Sequence, residues 1–166
     1  MREYTLRSQG LRMTTITIVT TIRATPERCF DASRDLDLHV ESMGHTGERA
    51  VAGKTSGLIE LGDQVTWEGR HFGIRQRFTS AITAYDRPRH FQDSMIRGAF
   101  RSFVHDHYFE ACDKGTRMTD VLEFRSPFGV VGAIVDRWVM RKYLTQLLTK
   151  RNEIVKAALE RPFIRG

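Results

Sequence analysis

The sequence predicts an α+β fold in which a curved antiparallel sheet of seven strands wraps around a long C-terminal helix. Two short helices follow the first strand. Three observations support this: a β-branched alternating segment near the N-terminus, six alternating segments between residues 48 and 125, and a final segment with apolar residues at helical spacing. An antiparallel sheet must bury one face, and the long helix is the only large apolar partner for it.

The first elements are marked by local signals. Thr14–Arg23 is rich in β-branched residues and alternates, so it is predicted to be a strand. Thr25-Pro26-Glu27 supplies an N-cap, a first-turn proline and an acidic residue, which predict a short helix. A second short helix is predicted over Asp35–Ser42.

Short turns connect the middle segments, as in a meander of hairpins. The predicted strands are Glu48–Lys54, Asp63–His71, Ile74–Tyr85, His90–Arg97, Arg101–Cys112 and Thr116–Arg125.

The last element is predicted to be a helix from about Phe128 to Leu159, opened by Ser126 as cap and Pro127 in the first turn. At ~1.5 Å per residue it could cross the whole domain. Its apolar stripe comprises Val131, Ile134, Val135, Trp138, Leu144, Leu147, Leu148, Val155 and Ala158.

Length and composition fit one globular domain of 166 residues. We expect a flexible N-terminal tail (1–12), a single ligand-binding domain (13–160) and a C-terminal tail (161–166). No apolar run approaches the length of a membrane span, and the N-terminus lacks the apolar middle of a signal peptide. Cys29 and Cys112 are too few for a disulfide scaffold, so reduced thiols in a cytoplasmic protein are expected.

The formal charge is +6, from 26 Lys and Arg against 20 Asp and Glu. A basic surface favours anionic partners, including membrane surfaces. We interpret the basic residues of the C-terminal segment mainly as a solvated helix face; they are Arg137, Arg141, Lys142, Lys150 and Arg151. The chain lacks an Arg-rich or aromatic-interleaved nucleic-acid motif, so no nucleic-acid partner is predicted.

The most informative segment is the strand that carries two histidines. Phe103, His105, His107 and Phe109 share one face of it, because alternate residues of a strand point the same way. The phenylalanines should point inward, and the histidines with them. Buried polar groups are costly unless they are paired or used, so this face predicts a cavity with polar recognition points.

Counting residues along both strands from each predicted turn shows which residues should lie opposite one another. A three-residue loop at 98–100 sets Asp93 opposite His105 and Phe91 opposite His107, and it also pairs Met95 with Phe103 and Arg97 with Arg101. A turn at Asp113 and Lys114 pairs Phe109 with Met118, His107 with Asp120, His105 with Leu122 and Phe103 with Phe124. Opposite Cβ atoms lie ~5 Å apart, so each aspartate is within hydrogen-bonding reach of a histidine.

Three interpretations of these Asp–His pairs remain open. The pairs could satisfy one another as purely structural elements of the sheet. They could line a cavity and fix the polar end of an apolar ligand. They could also do chemistry, since an aspartate that orients a histidine prepares a general base or a metal ligand, and His-x-His could hold zinc or iron. The predicted site contains no metal ion and no cofactor.

The inward-facing side chains form the predicted ligand-binding set. Its members are Trp67, Phe78, Ile82, Phe91, Asp93, Met95, Phe103, His105, His107, Phe109, Met118, Asp120, Leu122, Phe124, Val131, Val135 and Trp138. The catalytic candidates within it are His105, His107, Asp93 and Asp120.

The chain resembles the helix-grip superfamily (SRPBCC), which contains START lipid-transfer domains, Bet v 1-like plant ligand binders and bacterial polyketide cyclases. The element order matches over about Met13 to Leu159. More specifically, the chain resembles a bacterial ligand-binding or polyketide cyclase-like subgroup. The segments that carry this resemblance are Gly62-Asp63-Gln64-Val65-Thr66-Trp67, Phe91-Gln92-Asp93 with Gly98-Ala99-Phe100, His105-Asp106-His107-Tyr108-Phe109, Thr119-Asp120 and Ser126-Pro127-Phe128-Gly129. The resemblance implies a deep cavity for a lipid, polyketide or aromatic molecule. It carries over no catalytic residue.

We therefore predict a non-enzymatic binding protein for a small, largely apolar ligand. The alternative is an enzyme of the cyclase or dehydratase kind, with His105 or His107 as general base and Asp93 or Asp120 as orienter. A weaker hypothesis is contact with a membrane surface or a partner through the basic helix face. The sequence leaves open whether the protein is a monomer or a homodimer.

Overall fold

The computed structural model describes residues 13–161. The predicted tail at 1–12 and residues 162–166 of the predicted C-terminal tail lie outside the described residues. Within the described range, seven strands form one antiparallel sheet in the order β1-β7-β6-β5-β4-β3-β2. The strands are β1 (Thr14–Ile22), β2 (Arg49–Gly53), β3 (Gln64–His71), β4 (Ile74–Asp86), β5 (His90–Arg97), β6 (Ser102–Cys112) and β7 (Gly115–Arg125). The predicted strands are confirmed to within a few residues at each end.

The two short helices begin at the residues that the sequence marks. Helix α1 spans Pro26–Ser33, and the side chain of Thr25 accepts a hydrogen bond from the backbone N–H of Arg28. Helix α2 spans Leu36–Ser42 and is capped by the carboxylate of Asp35. A single 3₁₀ turn at Gly44–Thr46 follows. Both caps satisfy amide groups that have no partner inside the helix.

The C-terminal helical segment differs from the prediction in two ways. It comprises α3 (Gly129–Val135), a π-helical turn (Asp136–Met140) and α4 (Arg141–Glu160), instead of one regular helix. Ser126 is not the cap: α3 starts after Phe128, which has a left-handed φ of 73°. The backbone amide and the hydroxyl of Ser126 instead donate to the buried carboxylate of Asp136, ten residues further along. These two hydrogen bonds hold Asp136 inward, and the π turn begins at that residue.

The predicted strand register is confirmed around the histidines. Asp93 lies opposite His105, and His107 lies opposite Asp120. All four predicted pairs between β6 and β7 are present.

The predicted pairs Met95–Phe103 and Arg97–Arg101 were wrong. The pairing between β5 and β6 ends at Ser94 and Val104. The amide of Arg101 donates instead to the carbonyl of Arg125 on β7, at 2.8 Å. The backbone just before β6 is therefore bonded to β7.

The core lies between the sheet and the helices. Phe30 of α1 makes edge contacts with the rings of Phe91 and Phe109. Leu144 and Leu148 of α4 pack against buried side chains of β1 and β7. Burying each such leucine stabilises the fold by roughly 1.5–3 kcal/mol. The helices and the inner sheet face do not meet everywhere, and the space left between them is the cavity described next.

Candidate functional site: a cavity with a buried histidine–aspartate cluster

A cavity of about 320 Å³ lies between the inner face of the sheet and helices α2 and α4. Much of its wall is apolar, and the apolar side chains include Leu36, Met43, Ile59, Val65, Phe72, Phe100, Met140, Leu144, Leu147 and Leu148. Of the predicted ligand-binding set, Trp67, Phe78, Ile82, Phe91, Asp93, Phe103, His105 and His107 line it. The predicted inward turn of the histidine strand is therefore confirmed.

Other members of the predicted set lie outside the cavity wall. Four are packed in or against the core clusters beneath it: Phe109, Met118, Leu122 and Phe124. Asp120 is fully buried behind the histidines. Met95 is half-buried, and its sulfur lies beside Gly98.

Val131, Val135 and Trp138 are exposed and do not line the cavity, contrary to prediction. The inward positions of this segment are Gly132 and Asp136. Gly132 packs against the carbonyl of Pro127, and Asp136 accepts hydrogen bonds from Ser126. These contacts turn the apolar residues outward.

The four catalytic candidates form one connected cluster. The Nε2 atom of His105 lies 3.1 Å from Oδ1 of Asp120, and the Nε2 atom of His107 lies 3.1 Å from Oδ1 of Asp93. Nδ1 of His107 also lies 2.8 Å from Oδ1 of Asp120, but at an angle that gives no aligned hydrogen bond. Each histidine thus bonds the aspartate diagonal to it, while the aspartate directly opposite His105 lies 3.9 Å away.

Helix α4 completes the cluster with two residues that the sequence analysis did not select. The side-chain amide of Asn152 donates to Oδ2 of Asp120 at 2.6 Å. The guanidinium of Arg151 lies 3.7 Å from the same carboxylate and donates to the carbonyl of Ser33 in α1. Both residues are buried, so the interpretation of Arg151 as part of a solvated face was wrong. Its helical spacing from Leu148 and Val155 places it on the buried stripe, and this signal was available in the sequence.

The surroundings push the pKa values of the two histidines in opposite directions. Burial lowers the pKa of His105, and the charge of His107 lowers it further. Burial also acts to lower the pKa of His107, but the carboxylates of Asp120 and Asp93 outweigh it, so the net shift is upward. Of the two histidines, His107 is therefore the one that is protonated more readily.

Both carboxylates stay ionised. Burial acts to raise the pKa of Asp120, yet the hydrogen bond from His105 and the close contact with His107 bring it well below its ordinary value. The pKa of Asp93 is also lowered, because the hydrogen bond from His107 and the nearby histidine charge exceed the effect of burial. When His107 is protonated, two carboxylates face one imidazolium and one guanidinium, and the buried charges balance.

Among the described residues, one group could also hold a metal ion. The possible metal-ligand atoms of Asp93, His105 and His107 all lie within 4.8 Å of one another, a spacing that would suit a divalent cation. A cation there would have to displace the proton that His107 shares with Asp93. Arg151 and that proton already offset the charges of the two carboxylates.

A second polar group in the cavity wall consists of His39, Glu48, His71 and Tyr143. His39 and Glu48 are joined at 2.6 Å, and Nδ1 of His71 lies 2.6 Å from the hydroxyl of Tyr143. The His71–Tyr143 contact ties the end of β3 to α4. The ring of His39 lies 4.3 Å from that of Trp67, so this wall offers both an aromatic surface and polar atoms. The sequence carried no signal for this group, because its members are far apart in the chain.

Comparison with solved structures identifies the architecture. Protein TTHA0849 from Thermus thermophilus is similar with a TM-score of 0.68 and 19% identity, covering 87% of this chain and 99% of that one. The major latex-like protein 151 of Panax ginseng gives 0.67 and 14%, covering 91% and 99%. Protein Ms6760 from Mycobacterium smegmatis gives 0.65 and 20%, covering 87% and 90%. At these identities the likeness shows the fold, and it confirms the predicted helix-grip architecture.

The sequence itself matches one family profile, described as polyketide cyclase / dehydrase and lipid transport, over residues 13–160. No curated protein matches the chain significantly. Among the described residues, no helix is both long and apolar enough to span a membrane.

Proposed function

Because the chain belongs to the polyketide cyclase / dehydrase and lipid transport family, we propose that it binds a small, largely apolar ligand in the cavity between sheet and α4. The observation that carries this proposal is the composition of the cavity wall. Aromatic and aliphatic side chains cover most of it, and polar groups converge at the His105–His107 cluster. Such a wall is typical of sites that take affinity from apolar burial and orientation from a few polar atoms.

The cluster also indicates what the polar end of the ligand should be. Asp93 is the ionised member that keeps partial exposure, with 20% of its side chain accessible, and it lines the cavity. A carboxylate accepts hydrogen bonds, so a ligand hydroxyl or amide N–H suits it. We therefore expect an apolar molecule with a donor group at one end. We also propose a cytoplasmic location, which the free thiols of Cys29 and Cys112 support.

The binding proposal can be tested with Trp67 as an internal reporter, because its ring lines the cavity. In a Trp138→Phe background, titration with a neutral apolar fluorophore such as N-phenyl-1-naphthylamine should change the emission of Trp67. Native mass spectrometry of freshly purified protein should reveal a co-purified apolar molecule. Ser80→Phe should fill the cavity and abolish probe binding, since Ser80 is buried in its wall.

Thr83→Phe is the matched control, because Thr83 lies on the same strand and is exposed. It should leave probe binding intact. Equal binding by the wild type and Ser80→Phe would refute the cavity as the ligand site.

A second candidate function is favoured by one feature of the site, the opposite pKa shifts of two histidines that lie side by side on the inner face of β6. The lowered pKa of His105 favours its neutral form, and Asp120 orients its ring, so this imidazole could accept a proton from a carbon next to a carbonyl. His107, whose pKa is raised, could in its protonated form stabilise the resulting enolate oxygen. This assignment selects His105, and not His107, as the base of a cyclase- or dehydratase-type enzyme.

The enzyme proposal is tested by incubating the protein with a linear β-polyketone and following the absorbance of an aromatic product. His105→Gln should abolish any turnover while the protein still folds and binds the apolar fluorophore. Turnover that survives this change would exclude His105 as the base.

A further inference from the structure

The segment from Phe128 to Val139 exposes a row of large apolar side chains. We define the apolar patch as the exposed side chains of Val130, Val131, Ile134, Val135, Trp138 and Val139. Trp138 is 70% exposed, and Phe128, at the start of the segment, is 84% exposed. Exposed apolar residues are ordinary when scattered, but a contiguous group of this kind marks a contact surface.

The fold holds this patch outward. A Cβ at Gly132 would lie 2.0 Å from the carbonyl oxygen of Pro127, so α3 sits directly on the preceding loop. Asp136 is buried and hydrogen-bonded to Ser126. With those two positions facing the protein, the opposite face of the segment must carry the valines, Ile134 and Trp138. Among the described residues, nothing packs over them.

The charges around the patch are of one sign. Arg137, Arg141 and Lys142 are exposed beside it. The only acidic residue between Phe124 and Asn152 is Asp136, and its carboxylate is buried. The guanidinium of Arg137 lies 5.7 Å from the ring centroid of Trp138, so the cation and the indole present a joint surface.

We propose that the apolar patch docks this protein on the surface of an anionic lipid bilayer. A short helix with apolar residues on its exposed face and basic residues at its edge fits the boundary between headgroups and acyl chains. Tryptophan is favoured at that depth, and lysine and arginine are attracted by anionic headgroups. The charge of the surface favours a bilayer over a second copy of the chain, because two copies would bring the same basic residues together.

The patch also adjoins the cavity. Ser126 and Met140, the residues on either side of the segment, both line the cavity wall. A protein docked through this segment would therefore hold that end of the cavity against the bilayer. The docking proposal goes beyond ligand binding and does not depend on it, since none of the patch side chains lines the cavity.

The experiment is co-sedimentation with vesicles of phosphatidylcholine alone and of phosphatidylcholine with phosphatidylserine. Binding should require the anionic lipid and weaken as salt is raised. The emission of Trp138 should shift to the blue on binding, and this shift should be absent in Trp138→Phe. Removing one basic residue, as in Lys142→Gln, should lower the partition coefficient about fivefold.

The decisive pair of variants is Ile134→Asp and Leu61→Asp. Both side chains are exposed, Ile134 at 56% and Leu61 at 62%, but Leu61 lies outside the patch. Ile134→Asp should abolish vesicle binding, and Leu61→Asp should not. Probe binding measured at Trp67 should survive in both variants, which separates failure of docking from failure of the cavity proposal.

Two results would overturn the docking proposal. One is equal binding of the wild type and Ile134→Asp to anionic vesicles, or no binding by either. The other is a dimer in analytical ultracentrifugation that Ile134→Asp dissociates, because the patch would then be covered by a second copy.

Discussion

His107 bonds Asp93 at 3.1 Å, although Asp93 lies directly opposite His105 in the sheet. The same diagonal offset joins His105 to Asp120, which lies opposite His107. Each aspartate is thus close to one histidine through the backbone register and bonded to the other through its side chain. The four residues consequently respond as one unit, and a change at any of them should be felt at the others.

Asp120 is the residue on which the cluster depends most, because it faces both histidines, Asn152 and Arg151. Asp120→Asn removes its charge and leaves the imidazolium of His107 and the guanidinium of Arg151 with Asp93 alone. Since Asp120 is 0% exposed, solvent does not screen this loss. We expect the free energy of unfolding in urea to fall by roughly 3–5 kcal/mol.

The control for this variant is Asp113→Asn, in the exposed turn between β6 and β7. It should change the free energy of unfolding by less than about 0.5 kcal/mol. Equal stability of the two variants would mean that the cluster is not a coupled, charge-balanced unit.

The opposite pKa shifts of the histidines predict two separate titrations. In NMR spectra, the ring protons of His107 should titrate above pH 6.5 and those of His105 below it. A single shared midpoint near 6.5 would contradict the opposite pKa shifts of the two rings.

The sign of the stability change follows from these directions. A raised pKa in the folded state means that the contribution of His107 is fully present below pH 6.5 and is lost as pH rises through its folded pKa. The lowered pKa of His105 acts oppositely: stability declines as pH falls below 6.5 through its folded pKa. The lowered pKa values of Asp93 and Asp120 contribute above pH 3.8, and this contribution is lost as pH falls through their folded pKa values. Urea unfolding from about pH 4 to 9 should therefore show a decline above pH 6.5 that His107→Gln removes.

The sequence was sufficient to predict the strands and their register, because the alternation of inward and outward side chains along a strand is a local property. Phe103, His105, His107 and Phe109 could share a buried face in one register only, since a slip by one residue would expose them all. That logic predicted the neighbours of both histidines correctly. It could not predict which aspartate each imidazole would bond, because side-chain torsions decide that choice.

The sequence was insufficient where a distant contact decided the local structure. Ser126 was expected to cap a regular helix, but its bonds go to Asp136 and accompany a π turn. Trp138 was consequently assigned to the wrong face. Arg151 was missed for a different reason. Because it is charged, we placed it on a solvated helix face, although its helical spacing favoured burial. A possible buried partner, Asp120, was already among the candidates.

The close packing of Gly132 predicts a sharp response to the smallest substitution. In Gly132→Ala the added Cβ would lie 2.0 Å from the carbonyl oxygen of Pro127, so α3 must move away from the loop. Although alanine favours a helix, we expect a net loss of about 1–3 kcal/mol in the free energy of unfolding. Gly44→Ala is the control, because a Cβ there meets nothing within 4 Å. A stabilised Gly132→Ala would show that α3 does not rest on this loop.

The two thiols should differ in reactivity, because only one is shielded. Cys29 is fully buried in the core beside Phe30, and burial raises the pKa of its thiol. Cys112 is half-buried at the end of β6. Native protein treated with Ellman's reagent at about pH 8 should therefore release one equivalent quickly, and the second only in denaturant. Mass spectrometry should locate the first label on Cys112, and rapid labelling of Cys29 in the native protein would show that α1 does not seal the core as described.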